Sequence, residues 1–237
     1  GTFADKNIGT GKTVQVSGVT KSGGDAGNYT ITQPTTTANI IAKTLTVSGI
    51  TANNKTYNAS TTATLNTGSA AFVGIESGDT VTIGVGSATG AFADKNIGTG
   101  KTVQVSGVTK SGGDAGNYTI TQPTTTANII AKTLTVTGIT AANRVYDATT
   151  SATALLDKTS AALSGVESGD TVTMDHTSAT ATFGDKNIGT GKTVTISGIT
   201  IDGADSANYS LTQPTTTANI TAKTLTVSGI TAGNKTY

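Results

Sequence analysis

The sequence predicts an all-β protein built as a tandem array without significant helix. Three observations predict it: an internal period, a threonine content of 54 in 237 residues, and apolar side chains that alternate with polar ones. The period is plain. Phe3, Phe92 and Phe183 each open the run F-(A/G)-D-K-N-I-G-T-G-K-T-V, at spacings of 89 and 91 residues. Tyr57, Tyr146 and Tyr237 repeat that offset, as do Lys43, Lys132 and Lys223. A unit of about 90 residues can bury a small core of its own and is far longer than a solenoid rung, so beads on a string are expected. The units are read as 1–41 (the C-terminal part of a repeat), 42–130 and 131–221 (complete repeats), and 222–237 (the N-terminal part of the next). Two extra residues in the second complete unit fall between Tyr146 and Glu167, where a loop is expected to absorb them.

Each strand is read from a period of two, which sends one set of side chains to the core and the other to water. Val14 and Val16 alternate with Thr13, Gln15 and Ser17; Leu45 and Val47 alternate with Thr44, Thr46 and Ser48. Val81 and Ile83 alternate with Thr80 and Thr82, and Tyr29 and Ile31 with Thr30 and Thr32. Turns are expected at Asn7–Gly11, Ser22–Gly27 and Glu76–Asp79, where Gly, Asn and Asp supply tight conformations. Pro34, Pro123 and Pro214 lack a backbone donor and are expected at an edge or an extended crossover. From Thr35 to Ile50 there is no Pro, no charge cluster and no Gly before Gly49. The last strand of one unit is therefore expected to feed almost directly into the first strand of the next, without a flexible linker.

Composition narrows the function. A net charge of +1 with 12% charged residues leaves no basic stripe for a phosphate backbone, so nucleic acid is not an expected partner. Aromatic residues are 4% and Trp is absent, which leaves few stacking platforms. Cysteine is absent, so stability is expected from β cores and neighbouring repeats. No apolar run reaches the length of a membrane helix, and no membrane span is expected in this segment.

Several motifs invite chemistry and have a plainer reading. G-T-G-K-T at Gly9–Thr13 resembles a phosphate loop, but Lys6, Lys95 and Lys186 stand where that loop needs its first glycine, and a hairpin turn is expected instead. Glu76 with Asp79, and Glu167 with Asp170, bracket Ser-Gly and are read as Asx-type turns, too sparse for calcium. Asp5-Lys6-Asn7 is read as a charged turn before a strand. His176 is the single histidine and is read as a solvated strand-end residue. A lysine-to-asparagine isopeptide cross-link involving a lysine such as Lys43 is weighed against surface lysines, the expected state. The Thr44/Thr46 and Thr80/Thr82 faces are weighed as sugar-binding hydroxyl arrays against ordinary wet strand faces. No catalytic, cofactor-binding or metal-binding residues are expected, and no cofactor.

Val145-Tyr146-Asp147-Ala148-Thr149, following A-K-T-L-T-V-T-G-I-T-A-A-N-R, resembles the signature of the bacterial YDG repeat domain. Ala148 stands where the motif has Gly, and the copy at Tyr57-Asn58-Ala59 keeps the tyrosine alone. The runs G-V-E-S-G-D-T-V-T, F-G-D-K-N-I-G-T-G-K-T-V and A-N-Y-S-L-T extend the resemblance over essentially the whole chain. Such domains occur in tandem in filamentous-haemagglutinin-like and other large exported bacterial adhesins. The resemblance therefore implies an extracellular or cell-surface location, an adhesive or scaffolding role, and no catalytic residues. Asp25–Tyr29 and Asp114–Tyr118 resemble the tyrosine corner of immunoglobulin-like domains, and Asp205–Tyr209 lacks the glycine. An Ig-like β-sandwich of about 90 residues is expected for each unit, with a β-grasp-like domain as the alternative.

The function expected is that of a stalk or fibre segment of a surface adhesin, giving length and stiffness. Its expected partners are neighbouring repeats or identical chains in a filament. The alternative is a repeated low-affinity module that binds a surface glycan or host protein by avidity, through the Thr-rich face or the Gly-Gly-Asp loop.

Overall fold

A computed structural model describes residues 1–237. It is all-β, and the helical residues are confined to four short 3-10 turns at Ala26–Asn28, Ala115–Asn117, Thr153–Leu155 and Ser206–Asn208. No helix is long and apolar enough to cross a membrane. The chain forms two compact units, one made of Gly1–Lys55, Thr61–Asp94 and Gly98–Asn128, the other of Thr56–Ser60, Lys95–Ile97 and Ile129–Tyr237. Two short segments from before residue 100 are thus built into the second unit.

In the first unit, Gly98–Ser106 pairs antiparallel with Thr89–Phe92, placing Val105 opposite Gly90 and Val103 opposite Phe92. Alternation predicts what is buried: Val103 and Val105 are fully enclosed while Thr102, Gln104 and Ser106 face water. Thr62–Ala63 extends this sheet beyond Thr89–Phe92. A second sheet has Lys43–Ser48 at its centre, parallel to Tyr118–Ile120 and antiparallel to Ala71–Val73. Val105, Val108 and Ile50 form a core closed by Val47, Leu65, Phe72 and Ile83. Burying such side chains stabilises by about 1.5–3 kcal/mol each before chain entropy is counted. Thr2–Phe3, Gly9–Gln15 and Thr35–Ile40 form a further three-stranded sheet.

The second unit repeats the plan. Gly189–Ser197 lies between Thr180–Phe183 and Thr215–Thr221, and Arg144–Val145 adds a parallel edge strand. Lys132–Thr137 runs parallel to Tyr209–Thr212 and antiparallel to Ala162–Ser164. The core gathers Val136, Ile139, Ala181, Phe183, Val194, Ile196 and Ile220. Hydroxyls meet across these strands: Thr44 with Thr119 at 3.0 Å, Thr89 with Ser106 at 2.9 Å, Thr133 with Ser210 at 3.2 Å, and Thr180 with Ser197 at 3.0 Å. The threonine faces are therefore partly cross-linked to themselves.

Pro123 and Pro214 stand just before their strands, where each carbonyl accepts a bond from Val105 or Ile196 and no donor is needed. The strands Thr124–Ile130 and Lys132–Thr137 are separated by Ala131 alone, as the absence of breakers predicts. Gly49 and Gly138 sit at φ +77° and +79°, and a Cβ there would lie 1.9 Å from Ser69 O and 2.0 Å from Ser160 O. Only glycine fits both the conformation and the space.

Two local readings are corrected. Gly9–Thr13 is not a hairpin turn but part of the strand Gly9–Gln15, with a register shift between Gly9 and Lys12 and Gly11 at φ +64°. The amides of Gly11, Gly100 and Gly191 donate to the side chains of Asn39, Asn128 and Asn219, so asparagine carries the bulge across the sheet. Tyr29–Thr32 alternates like a strand but forms none. Its copies Tyr118–Ile120 and Tyr209–Thr212 become strands by pairing with Lys43–Leu45 and Lys132–Thr135.

Candidate functional site

The side chains that recur most regularly meet in a charged clasp, formed once in each unit. In the first unit the bend after Thr2–Phe3 presents Lys6, whose Nζ lies 2.5 Å from Asp79 and 2.6 Å from Asp114. The Asn7 side chain accepts from Asn117 at 3.1 Å, and the Asn117 carbonyl oxygen accepts the Ile8 amide at 3.0 Å. Tyr118, entering its strand from the 3-10 turn, donates to Asp79 at 2.6 Å and accepts from the Glu76 amide at 3.0 Å. Asp114 also accepts the Thr80 amide at 2.8 Å. The lysine thus closes onto two turns whose carboxylates are already aimed by backbone amides and a phenol.

The second unit builds the same clasp from Lys95, Asn96, Asp170, Asp205, Asn208 and Tyr209. Lys95 Nζ lies 2.6 Å from Asp170 and 3.0 Å from Asp205. Asn208 donates to Asn96 at 3.2 Å and accepts the Ile97 amide at 3.0 Å. Tyr209 donates to Asp170 at 2.7 Å and accepts from the Glu167 amide at 2.9 Å. Here Tyr57 joins as well. Its hydroxyl donates to the same Asp170 oxygen at 2.7 Å, its ring meets the Tyr209 ring edge-on at 5.3 Å, and Lys95 lies over its face at 5.9 Å. The Tyr57 backbone is held by an amide bond to Ile130 O at 2.8 Å.

The electrostatics follow from these contacts. The hydrogen bonds that it donates to Asp114 and Asp79 hold the Lys6 ammonium well above the ordinary lysine pKa. Asp170, Asp205 and Tyr57 do the same for Lys95. Lys6 and Tyr118 hold Asp79 below the usual carboxylate value. Burial pushes Asp170 upward, but Lys95, Tyr209 and Tyr57 outweigh it and leave it depressed. Burial and the neighbouring Asp170 push the Tyr209 phenol up to about 12. The lysine and aspartate shifts favour closed ion pairs, and the Tyr209 shift favours the neutral phenol that donates to Asp170.

Sequence reasoning placed these residues in local turns, and that reading is incomplete. Asp79 and Asp170 do close turns onto Glu76 and Glu167, yet their carboxylates serve lysines 73 and 75 residues away. Asp5 is a local turn residue, accepting from the Asn7 amide and pairing with Lys12, whereas Lys6 and Asn7 reach outward. The tyrosine-corner expectation is also corrected: Tyr118 and Tyr209 bond to amides 42 residues upstream rather than to their own corner. The recurring opposite charges of D-K-N, E-S-G-D and G-D-A-G-N-Y were the signal that could have linked them. Tyr57, which recurs as a repeat marker, carried no sign that it meets Asp170.

Other singled-out residues stand apart. Lys43 and Lys132 pair with Glu76 and Glu167. His176 is half-buried rather than solvated, with Nδ1 buried and unpartnered. Arg144 lies over the Phe183 ring at 4.8 Å and reaches Asp147 at 3.2 Å and Ser151 O at 2.6 Å. Ala59 and Ala148, third residues of their tyrosine motifs, sit at φ +57° and +66°, a conformation that glycine adopts without cost.

These features define an all-β protein whose sequence copies interlock through a repeated charged clasp. The chain belongs to the YDG domain family, whose profile matches residues 1–38, 41–127 and 130–218. The clasps therefore join consecutive matched copies: Lys6 of the first meets Asp79 of the second, and Lys95 of the second meets Asp170 of the third. No curated protein matches the chain.

Proposed function

We propose that the chain is a structural segment of a bacterial cell-surface or extracellular adhesin, a stalk or fibre whose role is length and stiffness rather than catalysis. In this reading each copy of about 90 residues is a β-sandwich of Ig-like kind, and the copies stand in a tandem array. The observation that carries it is the clasp, which recurs between successive copies with the same lysine, asparagine, aspartates and tyrosine. A linker-free passage such as Ile130-Ala131-Lys132 supports it, because a single residue between two strands leaves no flexible linker there. The threonine hydroxyls that pair with one another across strands favour this reading over a glycan-binding face.

Small-angle scattering on arrays of one, two and four repeats tests it. The reading expects the maximum dimension to rise linearly by roughly 35–50 Å per repeat, the span of a domain of this size placed end to end. Growth much slower than linear, as for a folded-back or freely jointed chain, would overturn the stalk.

A further inference from the structure

Two phenols converge on one carboxylate oxygen in the second unit. Tyr57 and Tyr209 each donate to Asp170 Oδ2 at 2.7 Å, while Lys95 takes the other oxygen at 2.6 Å. Because the two hydroxyls share one acceptor, the ring carbons beside them are drawn together as well. The ring centroids lie 5.3 Å apart at an interplanar angle of 74°, near the short end of the range of roughly 4.5–7 Å for packed aromatic pairs. The two residues are 1% and 7% exposed. They come from different copies, Tyr57 from the one matched at 41–127 and Tyr209 from the one matched at 130–218.

This geometry suits the oxidative coupling of two tyrosines. A neutral phenol that loses an electron must also lose its proton, and each hydroxyl proton here already points at a carboxylate. The clasp meets water at Lys95, whose side chain is 35% exposed, so the protons have a way out. The two phenoxyl radicals then stand side by side, shut off from other partners, and pair through the carbons next to their oxygens. The hydrogen on each joined carbon moves to its own oxygen and restores both hydroxyls. One carbon–carbon bond forms, and the chain loses two electrons to the oxidant and two protons to water.

We propose that Tyr57 and Tyr209 form a site of oxidative cross-linking, where a diffusible one-electron oxidant joins them as a dityrosine. The chain has no cysteine, and this bond supplies the covalent tie between consecutive copies that a disulfide would otherwise give. It closes a loop of about 150 residues and restricts the unfolded chain as a long-range disulfide does. The cross-link goes beyond the stalk reading and does not rest on it, because both rings belong to one compact unit.

Photo-oxidised tris(bipyridine)ruthenium, an outer-sphere one-electron oxidant, applied to the 237-residue chain at high dilution tests the cross-link. The monomer should lose the mass of two hydrogen atoms and gain dityrosine fluorescence, and trypsin should release Thr56–Lys95 joined to Thr193–Lys223. Tyr57→Phe and Tyr209→Phe keep a ring in place, so the β fold, followed by circular dichroism, should persist while the joined peptide is lost in each. The urea midpoint of the oxidised wild-type chain should rise above that of the untreated chain. Cross-links confined to other tyrosines, such as the exposed Tyr29 and Tyr237, or a joined peptide that survives in either variant, would overturn the proposal. A joined peptide without a rise in midpoint would overturn its role as a tie.

Discussion

The two clasps use the same residue types at matching positions, yet one is drier than the other. In the first, the Asp79 side chain is 10% exposed and Lys6 58%; in the second, Asp170 is 1% exposed and Lys95 35%. Tyr57 makes the difference, since it covers the second clasp and places a second hydroxyl on its carboxylate. An ion pair in water contributes little, and the same pair closed off from water depends on having every partner present. Tyr57 thus shields the Lys95–Asp170 pair from water.

The largest expected effect comes from erasing that difference. Tyr57→Ala should destabilise the second unit by about 3 kcal/mol or more, the usual cost of emptying a buried aromatic site, read from urea midpoints. Next, Asp170→Ala should lower the midpoint well beyond Asp79→Ala, because it strands Lys95 and two phenols at a drier site. Equal losses would refute the account of Tyr57.

Acid should act on both clasps with the same sign. Their aspartates have folded pKa values below the ordinary 3.8. Their contribution is therefore complete above that value and is lost as pH falls through the depressed values. Stability should be level from pH 7 to 5 with respect to these groups, and decline below about pH 4. Tyr209 works at the other end: with its phenol raised to about 12, its contribution holds below the ordinary tyrosine value and fades between about pH 10 and 12. The smallest effect is expected beside Tyr57, where Ala59→Gly should stabilise by at most about 1 kcal/mol by relieving the left-handed backbone.

Local features of the fold were legible in the sequence because their causes are local. Val103 and Val105 alternate and are buried, Gly49 ends a strand where only glycine fits, and Ala131 alone separates two strands. The clasp was not legible, because Lys6 meets partners 73 and 108 residues away and its turn has a sufficient local explanation in Asp5. The G-T-G-K-T run was misread for a related reason. A bulge at Gly11 and a turn need the same positive φ, and the cross-strand asparagine that distinguishes them lies 28 residues on. Parallel pairing of Lys43–Leu45 with Tyr118–Ile120 likewise leaves no mark on either segment alone.

Amide hydrogen exchange shows whether the clasp stays closed as part of the folded unit. The Ile97 amide, bonded to Asn208, and the Glu167 amide, bonded to Tyr209, report on the clasp itself. The account predicts that both exchange slowly and with the same opening free energy as the core amide of Ile196, and that Tyr57→Ala releases both together. Exchange of Ile97 and Glu167 at the rate of an open chain, while Ile196 stays protected, would contradict it.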